Sequence, residues 1–162
     1  MTIAVYPGSF DPVTLGHVDI AVRARAFADE VILAVGFNAS KRHAFDPAQR
    51  LAMAEAAVEG LDGVRAVAMP GLLVDLCKEL GADVVVKGLR GEADFSAEKP
   101  MALMNRSLTG IETVFVLGDP ALAHIASSLV KDVARHGGDV TDLVPPGVAE
   151  AFAGIHRTEE QQ

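Results

Sequence analysis

The residue types best suited to chemistry lie close together near the start of the chain, in segment 6–19, Tyr-Pro-Gly-Ser-Phe-Asp-Pro-Val-Thr-Leu-Gly-His-Val-Asp. Thr14 can cap a helix that begins at the next residue. The unpaired N–H groups and the helix dipole at such a start favour a phosphate. Gly16 leaves room for a ligand beside the backbone, and His17 and the Ser9 hydroxyl can donate hydrogen bonds to it. The segment predicts a phosphate-binding turn, with an ordinary strand–helix turn as the alternative.

Three later loops carry basic or hydroxyl side chains that could meet an anion. Segment 38–43, Asn-Ala-Ser-Lys-Arg-His, holds adjacent cations. Segment 87–91, Lys-Gly-Leu-Arg-Gly, combines a glycine that allows close approach with an arginine that can bind phosphate as a fork. Segment 125–131, Ile-Ala-Ser-Ser-Leu-Val-Lys, places two serines where a helix could be capped. A solvated basic loop, a basic turn and an ordinary serine cap are the alternatives for these segments.

The elements that must position these residues alternate between strand and helix. Apolar, Val-rich runs predict strands at 3–5, 31–35, 64–68, 84–87 and 113–117, and Pro7-Gly8 is expected to end the first. Helical patterns fall between them, which predicts an α/β, Rossmann-like doubly wound fold with a five-stranded parallel sheet and helices on both faces. Ligands bind such sheets beyond the carboxyl ends of the strands, where the candidate loops lie.

Local signals mark where two of the helices begin and end. Asp46 is expected to be an N-cap, with Pro47 at the first helical position and Gln49 completing a capping box. A second helix is predicted over 72–80, ended by Gly81. One domain is expected over residues 1–162, with 156–162 as a mobile polar tail.

Composition excludes several classes of protein. The 162 residues carry a formal net charge of −8 and contain no Trp, which argues against nucleic-acid binding. No apolar stretch is long enough to predict a membrane span, and no signal peptide is evident. The single cysteine, Cys77, excludes an internal disulfide and is expected to be a buried, inert thiol. A cytoplasmic location is the expectation.

Segment 6–19 resembles the signature of the nucleotidylyltransferase superfamily, whose first strand–helix turn carries a His/Thr-x-Gly-His motif, here Thr14-Leu15-Gly16-His17. The full run is more narrowly similar to the bacterial phosphopantetheine adenylyltransferase family, which makes dephospho-coenzyme A and pyrophosphate from ATP and 4′-phosphopantetheine. The resemblance extends in order to about residue 150. It includes Lys41 with Phe45, Lys87 to Arg90, Asp94-Phe95, Met104-Asn105-Arg106 and 137–141.

The resemblance implies direct adenylyl transfer with no covalent intermediate. The implied catalytic residues are His17, Lys41 and Arg90. The implied ATP contacts are Ser9, Phe10, His17, Gly88, Leu89, Arg90, Glu98, Leu122, Ala123, His124, Ile125, Ala126, Ser127 and Ser128. The implied phosphopantetheine contacts are Ser9, Lys41, Leu73 and Lys87.

The resemblance also implies partners beyond the two substrates. Mg²⁺ is expected to be held by the ATP phosphates, with no protein ligand. Coenzyme A is expected as a feedback ligand. The family implies a homo-oligomer, a hexamer, with the helix after Arg90 near an interface.

The chain departs from the family pattern at several positions near the site. Where this chain has Ala97, Pro100 and Ala126, the family usually has Tyr, Gln and Ser, and it usually has a bulky residue near Leu122. Pro100 is expected to kink or shorten its helix, since proline removes a backbone hydrogen bond. These departures motivate one rival, a nucleotide-binding module that has lost catalysis.

Two further rivals share the Gly-His motif. One is an adenylyltransferase for nicotinate mononucleotide or a cytidylyltransferase, which the lysine and arginine set at 41 and 87–90 disfavours. The other is a fragment of a tRNA-charging enzyme, which the charge of −8 disfavours.

Overall fold

The structure, a computed structural model, describes residues 1–37 and 40–159. Five strands alternate with helices, as the hydrophobic pattern predicts. The strands are β1 Ile3–Gly8, β2 Glu30–Gly36, β3 Val64–Met69, β4 Val84–Leu89 and β5 Glu112–Leu117. The helices are α1 Leu15–Ala24, α2 Pro47–Val58, α3 Leu73–Leu80, α4 Glu92–Thr109, α5 Ser127–Arg135 and α6 Pro146–Glu159, and a short 3-10 turn over Pro120–Leu122 precedes α5.

The strands form one parallel sheet in the order β3-β2-β1-β4-β5. Chain connections run outward from β1 to β3, and then return across the sheet to β4. The strand order therefore reverses between β1 and β4, where doubly wound sheets bind ligands. This confirms the predicted fold class.

Alternate residues of the central strands face two separate cores. On one face, Tyr6 and Leu33 belong to the larger core, which includes buried residues of α1, α2, α5 and α6. On the other face, Val5 and Ile32 pack with Cys77 of α3. Burial raises the pKa of the Cys77 thiol to about 11, so the thiol is neutral near pH 7.

The central strands diverge toward their carboxyl ends. The ladder between β1 and β4 includes only the Ala4–Val84 and Val5–Val85 pairs. The ladder between β1 and β2 continues to Gly8. Pro7-Gly8 is predicted to end the strand, but both residues still pair with β2. On that side of the strand the prediction is wrong. Pro7 has no backbone N–H and lies where pairing with β4 has stopped, and this separation opens a cleft.

The predicted helix boundaries are largely confirmed. Asp46 caps α2 in a capping box with Gln49, and α3 ends at Gly81, which adopts the left-handed conformation at φ 65°. The predicted shortening at Pro100 is wrong, because α4 continues for 18 residues with Pro100 inside it. Helix packing against β5, including a Phe95–Phe115 ring contact at 5.1 Å, holds α4 in place.

The carboxyl-terminal segment extends the fold further than the polar sequence predicts. Helix α6 continues to Glu159, through the first four residues of the predicted tail, and 160–162 lie outside the described residues. Along the described chain, no helix has the length and apolar character needed to cross a membrane.

Candidate active site

One cleft of about 1450 Å³ lies at the carboxyl ends of β1, β2, β4 and β5. It brings together all but one of the residues proposed from the sequence. Those that line it are Ser9, Phe10, His17, Lys41, Leu73, Lys87, Gly88, Leu89, Arg90, Glu98, Leu122, Ala123, Ile125, Ala126, Ser127 and Ser128. His124 is the exception, since its side chain is exposed and lies outside the cleft lining.

His17 completes the cap of α1. The Thr14 backbone N–H donates to His17 Nδ1 at 3.0 Å, while the Thr14 hydroxyl accepts from the His17 backbone N–H at 3.4 Å. Because Nδ1 accepts this hydrogen bond, the proton of the neutral imidazole lies on Nε2. The cap therefore fixes the tautomer and leaves Nε2 as a donor.

The His17 imidazole is neutral near pH 7. Burial, followed by the positive charges of Arg90 and Lys87, lowers its pKa to about 4. The ring packs against Phe10, with centroids 5.0 Å apart. A Cβ added at Gly16 would contact only the Thr14 hydroxyl, at 3.6 Å, so the space beside this turn stays open.

Lys87 of β4 and Glu98 of α4 form an ion pair beside the end of β1. Lys87 Nζ lies 3.0 Å from Glu98 Oε2 and 3.4 Å from the Pro7 carbonyl oxygen. The sequence assigns the two side chains to different ligands, but the structure pairs them with each other. An anion that binds Lys87 must therefore compete with the Glu98 carboxylate.

Arg90 is held by a forked ion pair with Asp94. Its Nε and Nη2 each lie 3.0 Å from a carboxylate oxygen, and Nη1 donates to the Ile125 carbonyl at 3.3 Å. The hydrogen bond from Arg90 lowers the pKa of Asp94 below its usual value. With 45% of its side chain exposed, Arg90 presents a charge that is fixed in direction at the cleft.

Gly88 has a packing role that the sequence does not reveal. We expected it to allow a ligand close to the backbone. A Cβ here would lie 2.6 Å from Ile20 Cγ1, so the missing side chain lets α1 approach β4. Gly88 lines the cleft and also sets the spacing of the helix that carries His17.

Helix α5 begins at the cleft, opposite α1. Its N-cap is Ala126, and neither serine caps it, which corrects the capping prediction. The Ser127 hydroxyl donates instead to the Pro12 carbonyl at 2.9 Å, which ties α5 to the β1–α1 loop. The Ser128 side chain is exposed at the cleft edge. Two helix N-termini therefore face the same space.

The other end of the cleft is more apolar. Leu73 lines this end at the start of α3, while Lys41 is exposed at the cleft edge on the β2–α2 loop. Phe37 and Leu72 are 54% and 64% exposed there. The cleft thus joins a cationic region rich in helix N-termini to an apolar region.

Comparison with known proteins identifies the family. Residues 5–133 match the family model described as cytidylyltransferase-like. The chain is 49% identical over 164 residues to the phosphopantetheine adenylyltransferase of Bifidobacterium longum, covering 100% of this chain and 99% of that protein. It is 51% identical to that of Nocardioides sp., covering 91% and 93%. The chain belongs to the phosphopantetheine adenylyltransferase family of nucleotidyltransferases.

Solved structures support the fold independently of sequence. A Vibrio parahaemolyticus protein provisionally assigned as a nicotinate-nucleotide adenylyltransferase superimposes with a TM-score of 0.72 at 18% identity, covering 95% of this chain and 93% of that one. A Thermoplasma volcanium lipopolysaccharide core biosynthesis protein gives 0.52 at 23% identity, covering 74% and 97%. At these identities the likeness shows the fold alone.

Sequence reasoning missed two buried charges in this member of the phosphopantetheine adenylyltransferase family. Asp11 is 3% exposed and Arg50 is 0% exposed. Asp11 precedes Pro12, a pair that is typical of a turn and carries no signal of burial. For Arg50 a signal exists: it shares the i, i+4, i+8 stripe with Ala54 and Val58, the buried face of α2.

The carboxylates that line the cleft are already engaged. Asp19 accepts from Arg23 at 2.9 Å and from the Asp119 backbone N–H at 2.8 Å, and Asp94 and Glu98 pair with cations as described above. Among the residues described, no group of three or more His, Cys, Asp or Glu side chains could hold a metal ion.

Proposed function

We propose that this protein transfers the adenylyl group of ATP to 4′-phosphopantetheine, giving dephospho-coenzyme A and pyrophosphate. The observation that carries the proposal is His17, a neutral Nε2 donor held between two helix N-termini and beside Arg90, in a chain of this family. A phosphate oxygen of phosphopantetheine would attack the α-phosphorus. The bond from that phosphorus to the bridging oxygen would break, and pyrophosphate would leave with the electron pair.

The reaction needs alignment and charge stabilisation more than a base. The phosphopantetheine phosphate is already an anion near neutral pH, so no strong base is required. His17 Nε2–H is assigned to the α-phosphate oxygens, whose charge it would stabilise during transfer. Lys41 is assigned to the same phosphates from the opposite loop.

The pyrophosphate leaving group is assigned to the α5 side. Arg90 and the first N–H groups of α5 at Ser127 and Ser128 would hold the β- and γ-phosphates. Because Ser127 donates its hydroxyl proton to Pro12, its backbone N–H is the group that remains for phosphate. Mg²⁺ bound to the triphosphate oxygens would neutralise part of their charge, which fits a cleft whose carboxylates are paired.

The apolar region is assigned to the pantetheine arm. Leu73, Phe37 and Leu72 offer it an apolar surface, with Ser9 and Lys87 nearer its phosphate. The adenosine is assigned to the backbone at Gly88–Leu89 and the segment 122–126. Coenzyme A carries the same pantetheine arm, so we propose it as a competing, feedback ligand.

Product formation tests the proposal. The protein is mixed with ATP, Mg²⁺ and 4′-phosphopantetheine, and pyrophosphate and dephospho-coenzyme A are followed by mass spectrometry. Nicotinate mononucleotide with ATP, and glycerol 3-phosphate with CTP, are parallel controls. Product with phosphopantetheine alone is expected. Product only with another acceptor overturns the assignment of substrate.

A non-catalytic binding module is the second candidate, favoured by Ala97, Pro100 and Ala126. Pro100 leaves α4 continuous, and Ala126 caps α5 without a hydroxyl. Binding of ATP or coenzyme A without any product would support the module. In that case, the substitutions Ala97→Tyr, Pro100→Gln and Ala126→Ser, which introduce the residues usual in the family, should produce turnover.

We also propose that the protein forms a homo-oligomer, with a hexamer as the expected number. Helix α4 and edge strand β5 leave several large apolar side chains exposed, which a further chain could cover. These are Phe95, Met101, Leu103, Met104, Leu108, Val114 and Leu117. Light scattering after size exclusion should give a multiple of the 17.0 kDa chain mass, whereas a monomer at micromolar concentration contradicts this.

A further inference from the structure

Two buried side chains of opposite charge hold the loop that carries Lys41. This loop connects β2 to α2, and each of the two side chains attaches it near one end. At its beginning, Arg50 Nη1 donates to the Gly36 carbonyl and to the Ser9 carbonyl, each at 2.6 Å. One nitrogen thus links the end of β2 to the β1–α1 loop.

The second attachment is Asp11. Its two carboxylate oxygens accept the backbone N–H groups of Ala44 and Phe45, at 2.9 and 3.0 Å. Asp11 itself belongs to the β1–α1 loop. Both ends of the Lys41 loop are therefore fastened to the segment that leads into His17.

The same carboxylate also reaches α5. Lys131 Nζ lies 3.0 Å from Asp11 Oδ2, and His43 Nδ1 lies 3.5 Å from it. Burial alone would raise the pKa of Asp11, but the hydrogen bonds from the backbone and from Lys131 outweigh it and lower the pKa. The carboxylate is thus ionised near pH 7 and joins the three segments that carry Lys41, His17 and the α5 N-terminus.

We propose that Asp11 and Arg50 are positioning residues, which set the distance between the Lys41 ammonium and the His17 imidazole across the cleft. Neither side chain lines the cleft, so each acts through the loop that it holds. This inference rests on the proposed function, because Lys41 is assigned there to the reacting phosphates. Small displacements of such a group are costly, since about 1 Å can change a rate by 100-fold.

A double-mutant cycle distinguishes positioning from general stabilisation. Asp11→Asn preserves shape but loses the charge and one of the two carboxylate acceptors. It should lower kcat by about 10- to 100-fold. In a Lys41→Ala background the same change should lower kcat less than about twofold, because Lys41 is no longer there to misplace. Equal fold losses in both backgrounds overturn the proposal.

Arg50→Lys provides a second variant with the charge retained. Both carbonyl groups accept from the single nitrogen Nη1. A lysine ammonium would lie one bond nearer the backbone and would fall short of both oxygens. We expect Arg50→Lys to lower kcat, and to lower it less in the Lys41→Ala background. Val58→Ala, a buried change elsewhere on α2, is the matched control and should lower the melting temperature while leaving kcat unchanged.

A readout without turnover separates this inference from the proposed function. Hydrogen exchange at the Ala44 and Phe45 amides should be slow in the unmodified chain. In Asp11→Asn one acceptor remains for two donors, so at least one of these amides should exchange about tenfold faster or more. Exchange in β3, residues 64–69, should not change. Unchanged protection at 44 and 45 overturns the positioning role even if the protein is active. Failure to make product with protection lost as expected would count against the proposed function alone.

Discussion

Substitution of His17 can separate its two roles, as cap and as phosphate donor. Nδ1 accepts the Thr14 backbone N–H, which leaves Nε2 as the ring donor of a residue that lines the cleft. His17→Ala removes both. His17→Glu keeps an acceptor at the third helical position, where Glu completes a capping box, but it replaces the donor by a negative charge. His17→Gln keeps the acceptor and an amide donor in a different geometry.

The magnitudes follow from these contacts. Loss of the acceptor leaves the Thr14 N–H unpaired and should destabilise His17→Ala by about 1 kcal/mol. The Gln and Glu variants should melt near the unmodified chain. Loss of one donor to a charge that develops in the transition state costs about 100- to 1000-fold in kcat. The order of kcat should therefore be His, Gln, Ala and Glu, with Glu lowest because it repels phosphate.

Thermal unfolding and pyrophosphate release, measured on the same samples, provide the assay. The reasoning predicts that stability and turnover follow different orders, with Glu among the more stable variants and the least active. If turnover instead follows stability, so that Glu exceeds Ala in kcat, His17 is a structural cap and the donor assignment is wrong.

Three further predictions come from the same cleft. Gly88→Ala should lower stability by about 1–3 kcal/mol and reduce kcat, because its Cβ would press on Ile20 and move α1; an unchanged melting temperature refutes the packing role. Asp94→Asn should raise KM for ATP up to about fivefold, since partly exposed ion pairs contribute up to about 1 kcal/mol to the position of Arg90; an unchanged KM argues against this. In the folded chain the pKa of His17 is about 4, below its ordinary value of 6.5. Between these two pH values the unfolded chain binds more protons than the folded chain, so stability falls as the pH falls. Chemical denaturation at pH 7.5 and 4.5 should show His17→Gln losing about 2 kcal/mol less than the unmodified chain, and equal losses contradict the shift.

Two control variants accompany these changes. Gly147→Ala adds a Cβ with nothing within 4 Å, so it should not destabilise the fold. Glu112→Gln neutralises an exposed partner of Arg106, at 3.3 Å, on the edge of the sheet. It should leave KM for ATP unchanged.

Patterns that depend on local backbone chemistry were predictable from the sequence. The Val-rich strands, the Asp46 capping box and the Gly81 terminus are each encoded in a few neighbouring residues. The parallel sheet then places the carboxyl ends of all its strands at the same edge, so loops far apart in sequence could be assigned to one cleft.

Contacts between distant segments were not predictable. The pairing of Lys87 with Glu98 depends on how α4 packs beside the end of β4, which no local pattern records. The bonds of Asp11 to a loop 33 and 34 residues away depend on the same tertiary arrangement. Likewise, the sequence identifies Gly88 as a site of close approach, but it does not show that helix α1 is the element that approaches it.

The central claim is transfer of the ATP adenylyl group to a phosphate oxygen of 4′-phosphopantetheine, and oxygen labelling tests it most directly. Phosphopantetheine labelled with ¹⁸O in its phosphate is incubated with ATP, Mg²⁺ and the protein, and the masses of both products are measured. Transfer to that phosphate oxygen predicts dephospho-coenzyme A that retains the whole label and pyrophosphate that carries none. Label in pyrophosphate, or the absence of dephospho-coenzyme A, would contradict the account.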